Sequence, residues 1–249
     1  MQEIPPPMDT PLLYTVYIIA MAIGAITFFL WSRDPKGVHE AEYSVAILIP
    51  VWSGLAYLAM SYGLGQTEIG GQTTYWGRYV DWIVTTPLLL MALGLTAMHR
   101  LKKRDGALLW ALVGADVVMI VCGLVADLST GPARSVFFLC GVVALVAIFY
   151  LTWGPLRKLA YTQGDDLGGV FTTVAGLLSA LWIAYPVIWW LGPSGSGIIS
   201  QMLESWLYVI VPIVSKVGFS AVDLYLLRRL SPTPASNPAF DDYQPEVAR

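Results

Sequence analysis

Residues Trp206 to Leu230 read WLYVIVPIVSKVGFSAVDLYLLRRL. The run is apolar and exceeds the roughly 20 residues a helix needs to cross a bilayer. Yet it holds Lys216 near its middle and Asp223 towards its end. A lysine at bilayer depth costs roughly 2.5–3.5 kcal/mol on insertion scales. About ten residues on either side set it about 15 Å from each surface, too far for its stem to stretch to the headgroups. Two arrangements relieve the cost: a carboxylate partner, or covalent conversion of the amine. A lysine held away from water is a ready nucleophile towards an aldehyde, with which it forms a Schiff base.

The rest of the chain has the same solvent preference. Of its 249 residues, 56% are hydrophobic and 12% charged, against about 25% charged in a soluble domain. Mean hydropathy is +0.64. This composition points to a multi-pass membrane protein packed against lipid, not to a soluble enzyme or a nucleic-acid binder. The net charge of −3 selects no partner. Cys122 and Cys140 lie inside apolar runs, with no disulfide framework and no metal-ligand spacing. Ten Trp and thirteen Tyr are more than interfacial belts need, because several fall at mid-membrane depth. Met1 to Thr10 is Pro-rich and acidic, without the basic start of a cleavable signal.

Seven stretches are long and apolar enough to span, near 10–32, 41–63, 75–98, 107–127, 134–154, 168–191 and 203–229. Between them lie polar or Gly/Pro-containing breaks: RDPKGVHEAE, GQTEIGGQTTY, HRLKKRDG, DLSTGPAR, GPLRKLAYTQGDD and GPSGSG. Arg33, Lys36, Arg100, Lys102, Lys103, Arg104, Arg157, Lys158, Arg228 and Arg229 all fall on one side. The other side has Arg78 and Arg134, each at a helix mouth. The positive-inside rule then puts the N-terminus outside and the C-terminus in the cytoplasm. The fold expected is all-α: an extracellular lead at 1–9, a seven-helix membrane domain at 10–230, and a disordered cytoplasmic tail at 231–249. In this orientation Arg78 and Asp81 lie on the extracellular side of Lys216. Asp223, seven residues on, shares its helix face about 10 Å nearer the cytoplasm. Two carboxylates bracket the lysine, which is the layout of a proton path.

The third span reads RYVDWIVTTPLLL from Arg78 to Leu90, the sixth WIAYPVIW from Trp182 to Trp189, and the seventh SKVGF from Ser215 to Phe219. In order, spacing and depth these blocks resemble the signature segments of microbial (type 1) rhodopsins over about residues 10–230. The resemblance implies all-trans retinal on Lys216 as a protonated Schiff base, with Asp81 as counterion and Thr85 one turn inward. It implies that Trp82 and Trp182 flank the polyene, and that Thr86, Leu89, Met119, Gly123, Tyr185 and Trp189 complete the pocket together with Pro212 and Ser215. Tyr57 and Arg78 stand at family positions beside the counterion. It further implies a homo-oligomer, a trimer by analogy. A buried cation independently needs a nearby anion, which Asp81 can supply, and aromatic faces suit a flat polyene. Asp116 is read as a link to Thr86 between two helices. Glu204 matches a carboxylate of the proton-release group of outward pumps, but Ser194 stands where its partner is expected; a solvated surface Glu remains the other reading.

The chain also departs from the outward pumps. Pro212 replaces a second counterion carboxylate four residues before the lysine, and Ala92 replaces a carboxylic proton donor eleven residues after Asp81. Proline before the lysine and an aspartate seven residues after it resemble the xenorhodopsins and the Anabaena-type sensory rhodopsin. In the pumps of that group protons move inward, so Asp223 is expected to accept the proton; the alternative is an Asp paired with Arg228 or Arg229 at the headgroups. Two functions follow, an inward proton pump or a photochromic sensor with a soluble transducer. A halide pump conflicts with the charge of Asp81, and a sodium pump with Val80, Asp81 and Thr85.

Overall fold

The computed structural model describes residues 10–230; the expected lead 1–9 and tail 231–249 lie outside the described residues. Among the described residues, seven spans are helical and apolar enough to cross a membrane. They are α1 (Thr10–Ser32), α2 (Glu40–Ser61), α3 (Gly77–Ala97), α4 (Gly106–Leu128), α5 (Pro132–Leu151) continued by α6 (Arg157–Tyr161), α7 (Asp165–Leu191), and α8 (Gln201–Ile213) continued by α9 (Phe219–Leu227). Capping agrees with local chemistry: Asp105 accepts from the Leu108 amide at the start of α4, and Ser200 from the Leu203 amide at the start of α8.

Two connections differ from the sequence reading. The stretch from Gly154, a break by its sequence, stays helical to Tyr161, with one π-helical turn at Thr152–Leu156. Pro155 lies in that turn; its ring and missing N–H displace the ordinary i to i−4 ladder, and the wider turn absorbs the displacement. The break after α2 contains a hairpin of β1 (Thr67–Ile69) and β2 (Gln72–Thr74), with Ile69 opposite Gln72. Gly70 and Gly71 close it at φ +61° and +79°, the left-handed pair that a two-residue primed turn demands.

The spans pack as sequential neighbours, α1 on α2, α2 on α3, α3 on α4 and α4 on α5, and α1 meets α8 to close the ring. Within the ring α3 is the most enclosed span, with 72% of its hydrophobic window buried against 17% for α4. On α3, Asp81, Thr85 and Thr96 are fully buried. Ile19, Ile23 and Phe29 on α1 and Val143 and Val146 on α5 remain exposed, an apolar girdle suited to lipid. The central apolar cluster of Leu89, Leu93, Phe171, Leu178, Trp182 and Phe219 ties α3 and α7 to the seventh span.

Candidate functional site

The seventh span is shaped by what Pro212 lacks. Without an N–H it cannot bond the Tyr208 carbonyl one turn earlier, and Tyr57 OH donates to that carbonyl instead at 2.9 Å. Just beyond, Val214–Gly218 forms a second π-helical turn, with Lys216 inside it. Such turns insert a residue and re-aim side chains. Lys216 is 1% exposed and forms an ion pair with Asp81, itself 0% exposed. The Lys216 amine stands where a Schiff-base nitrogen would be. Ser53 Oγ accepts from it at 2.8 Å and donates to Asp81 Oδ2 at 3.0 Å. Tyr17 OH lies 3.2 Å from the same nitrogen and 2.6 Å from Ser53 Oγ. Thr85 donates mainly to the Asp81 backbone carbonyl, at 2.9 Å, and lies 3.4 Å from its carboxylate.

At Trp82, one residue on from Asp81, opens an apolar cavity of about 100 Å³. Trp82, Thr86, Met119, Gly123, Trp182, Tyr185 and Trp189 line it, as the resemblance implies, together with Tyr79, Phe138, Leu145, Pro186 and Tyr208. Leu89 is not in this wall; it is fully buried in the central cluster. Pro212 and Ser215 are outside it too, although Ser215 Oγ lies 3.1 Å from Tyr185 OH and so ties the cavity wall to the turn holding Lys216. Gly123 keeps its wall open, because a Cβ there would meet the Tyr79 ring at 3.1 Å. The aromatic faces that border this slot suit a long, flat, apolar group, and the Lys216–Asp81 pair would meet the one ionic requirement of its tether. From its wall, Thr86 Oγ1 donates to Asp116 Oδ2 at 2.7 Å and links α3 to α4.

The end of the bundle that carries most of the basic residues is polar in its interior. Asp223 is 3% exposed and accepts from Thr96 Oγ1 at 2.7 Å. Arg228 turns away from it to the Trp31 and Asp34 carbonyls, and Arg229 lies over the Tyr225 ring, so the headgroup pairing is not the arrangement found. Ala92 is buried with no titratable group to offer. Asp223 is not the only buried carboxylate here: Glu42 on α2 is 2% exposed and lies 3.2 Å from His99 Nδ1.

At the opposite end, Arg78 does not bond Asp81. Its Nη2 donates to Ser205 Oγ at 3.2 Å and its guanidinium sits over the Tyr75 and Tyr208 rings. Tyr57 likewise bonds the Tyr208 backbone and stacks on Tyr17 with ring centroids 3.6 Å apart. Glu204 is buried and is no surface residue. It shares a polar cavity with Arg78, Tyr75 and Asp127, and Asp127 accepts from Ser194 Oγ at 2.6 Å and Trp189 Nε1 at 3.2 Å. The second carboxylate missing from position 194 is thus supplied by α4. Sequence reading missed Ser53, Thr96, Glu42 and Asp127. Ser53 had a usable signal, lying four residues before Tyr57 on one helix face. Asp127 had none, since helix-end aspartates are common.

These features define a retinal-binding seven-helix protein, and the bacteriorhodopsin-like family model matches residues 9–230. The chain belongs to that family, the microbial rhodopsins. It is 36% identical to archaerhodopsin-3 of Halorubrum sodomense over 228 residues, 89% of this chain and 86% of the relative. A cyanorhodopsin structure from Calothrix sp. NIES-2098 superposes with a TM-score of 0.81 at 32% identity, covering 89% of this chain and 96% of that one. The light-driven proton pump of Coccomyxa subellipsoidea gives 0.80 at 27%, covering 88% and 97%. Members of the family are light-driven ion pumps or photoreceptors, not enzymes, and carry all-trans retinal as a Schiff base on a lysine, here Lys216.

Proposed function

We propose that this chain is a light-driven inward proton pump of the xenorhodopsin type, in the cell membrane with its basic end towards the cytoplasm. Proton transport is supported by the likeness to the Coccomyxa protein, a light-driven proton pump. The observation that carries the direction is an asymmetry about Lys216. Towards the basic end the interior offers a buried carboxylate, Asp223, held by Thr96, whereas the donor position of an outward cycle is Ala92.

All-trans retinal supplies a light-triggered isomerisation that re-aims the proton held at Lys216 Nζ. In the dark, Asp81 neutralises that charge while Ser53 and Tyr17 fix the nitrogen between them. Trp82, Trp182 and Tyr185 confine the cavity and keep it apolar. After re-aiming, the proton passes towards Asp223. Seven residues of helix span about 10 Å, beyond any hydrogen bond, so water must complete the path. The replacement proton enters past Glu204, Asp127, Arg78 and Tyr57 and reaches Lys216 Nζ by way of Asp81 and Thr85.

Asp223→Asn tests this directly. It should remove most of the light-driven proton flux into vesicles while the visible band moves little, because Asp223 lies outside the retinal cavity. Undiminished flux in that variant would remove Asp223 from the path.

A further inference from the structure

The chain has two histidines, His39 and His99, and the fold brings both to Glu42 at the basic end of the bundle. His39 caps α2, Glu42 is one turn inside it, and His99 follows the end of α3. One nitrogen of each ring and a Glu42 carboxylate oxygen lie within 4.8 Å of one another. We propose that these three residues form a site for a divalent transition metal of the zinc class.

Three observations bear on it. First, His99 Nδ1 and Glu42 Oε1 are 3.2 Å apart. Ligands on a tetrahedral Zn²⁺ at about 2.0–2.1 Å stand about 3.4 Å from each other, so two of the three corners are already set. Second, Glu42 Oε2 is buried and has no hydrogen-bond partner. A buried carboxylate oxygen left unpaired is costly, and a cation would satisfy it. Third, His39 Nε2 lies 3.0 Å from the His99 carbonyl. A backbone carbonyl that can hold the ring's orientation is a usual support of a ligating histidine. His39 is exposed, so it is the ligand free to close on an arriving ion, with water completing the shell. Arg104 Nη2 stands 4.0 Å from Glu42 Oε1 but is one-third exposed and can withdraw to solvent.

Two imidazoles and one carboxylate suit zinc, cobalt, nickel or copper and not the hard cations, which prefer oxygen ligands throughout. The site would tie α2 to α3 one turn from Thr96, the partner of Asp223.

The test is equilibrium dialysis of Zn²⁺ against the retinal-bound protein, purified without a polyhistidine tag and reconstituted in nanodiscs. One Zn²⁺ should bind per chain, and Mg²⁺ in excess should not displace it. His39→Ala and His99→Ala should each weaken binding by at least about ten-fold, with the visible band reporting that each variant is folded. Since His39 is exposed, its variant alone suffices if the buried His99 variant fails to fold. Zn²⁺ uptake equal in the wild type and His39→Ala, or no uptake by the wild type, would overturn the site.

Discussion

Lys216 and Asp81 are buried together, and each is tolerable only because of the other; breaking a buried pair costs about 3–5 kcal/mol. Lys216→Ala should therefore leave no visible band, since the remaining lysines lie outside the buried interior; a retained band would show that the cofactor is tethered elsewhere. Asp81→Asn should lower sharply the pH at which the visible band bleaches and redden what survives, because Pro212 offers no second carboxylate. Ser53 sharpens the point. Its hydroxyl touches Lys216 Nζ, Asp81 and Tyr17, and a hydrogen bond to a charged group contributes about 1.5–3 kcal/mol. Ser53→Ala should keep the band but lower the bleaching midpoint by about 1–2 pH units, a smaller change than Asp81→Asn produces. An unchanged spectral titration would remove Ser53 from the counterion network. Lys216 and Asp81 were legible in the sequence because a charge inside an apolar run is conspicuous. Ser53 was passed over: its place four residues before Tyr57 was the one cue, and a weak one, since a serine in a membrane helix has many ordinary uses.

At the scale of elements, the two π-helical turns and the Tyr208 carbonyl freed by Pro212 explain what apolar length alone could not. Apolar length gives the spans to within a few residues apart from the end of the fifth, but the register of Lys216 depends on one widened turn. The link between α3 and α4 was readable through the family resemblance, which pairs Asp116 with Thr86. It rests on one bond of 2.7 Å, and Asp116 Oδ1 has no partner of its own. Thr86→Val should therefore leave the whole carboxyl group unpaired and cost about 1–3 kcal/mol. Thermal bleaching of the visible band would show this as a lower midpoint, and an unaltered midpoint would mean that the link contributes nothing.

For the whole molecule, the bundle was legible in seven apolar stretches, and the lysine and the departures from the outward pumps at single positions, Lys216, Pro212 and Ala92. The polar clusters at the two ends were hidden, because each joins residues far apart in the chain, Glu42 with His99 and Asp127 with Glu204. Only folding shows that Glu204 is buried and that α4 supplies its neighbour. The direction of transport is a property of this complete asymmetry, so it is best read on intact cells. Illuminated cells expressing the chain with retinal, in unbuffered medium without ionophore, should alkalinise the medium, and a protonophore should abolish the signal. Acidification of the medium would contradict the inward path through Asp223.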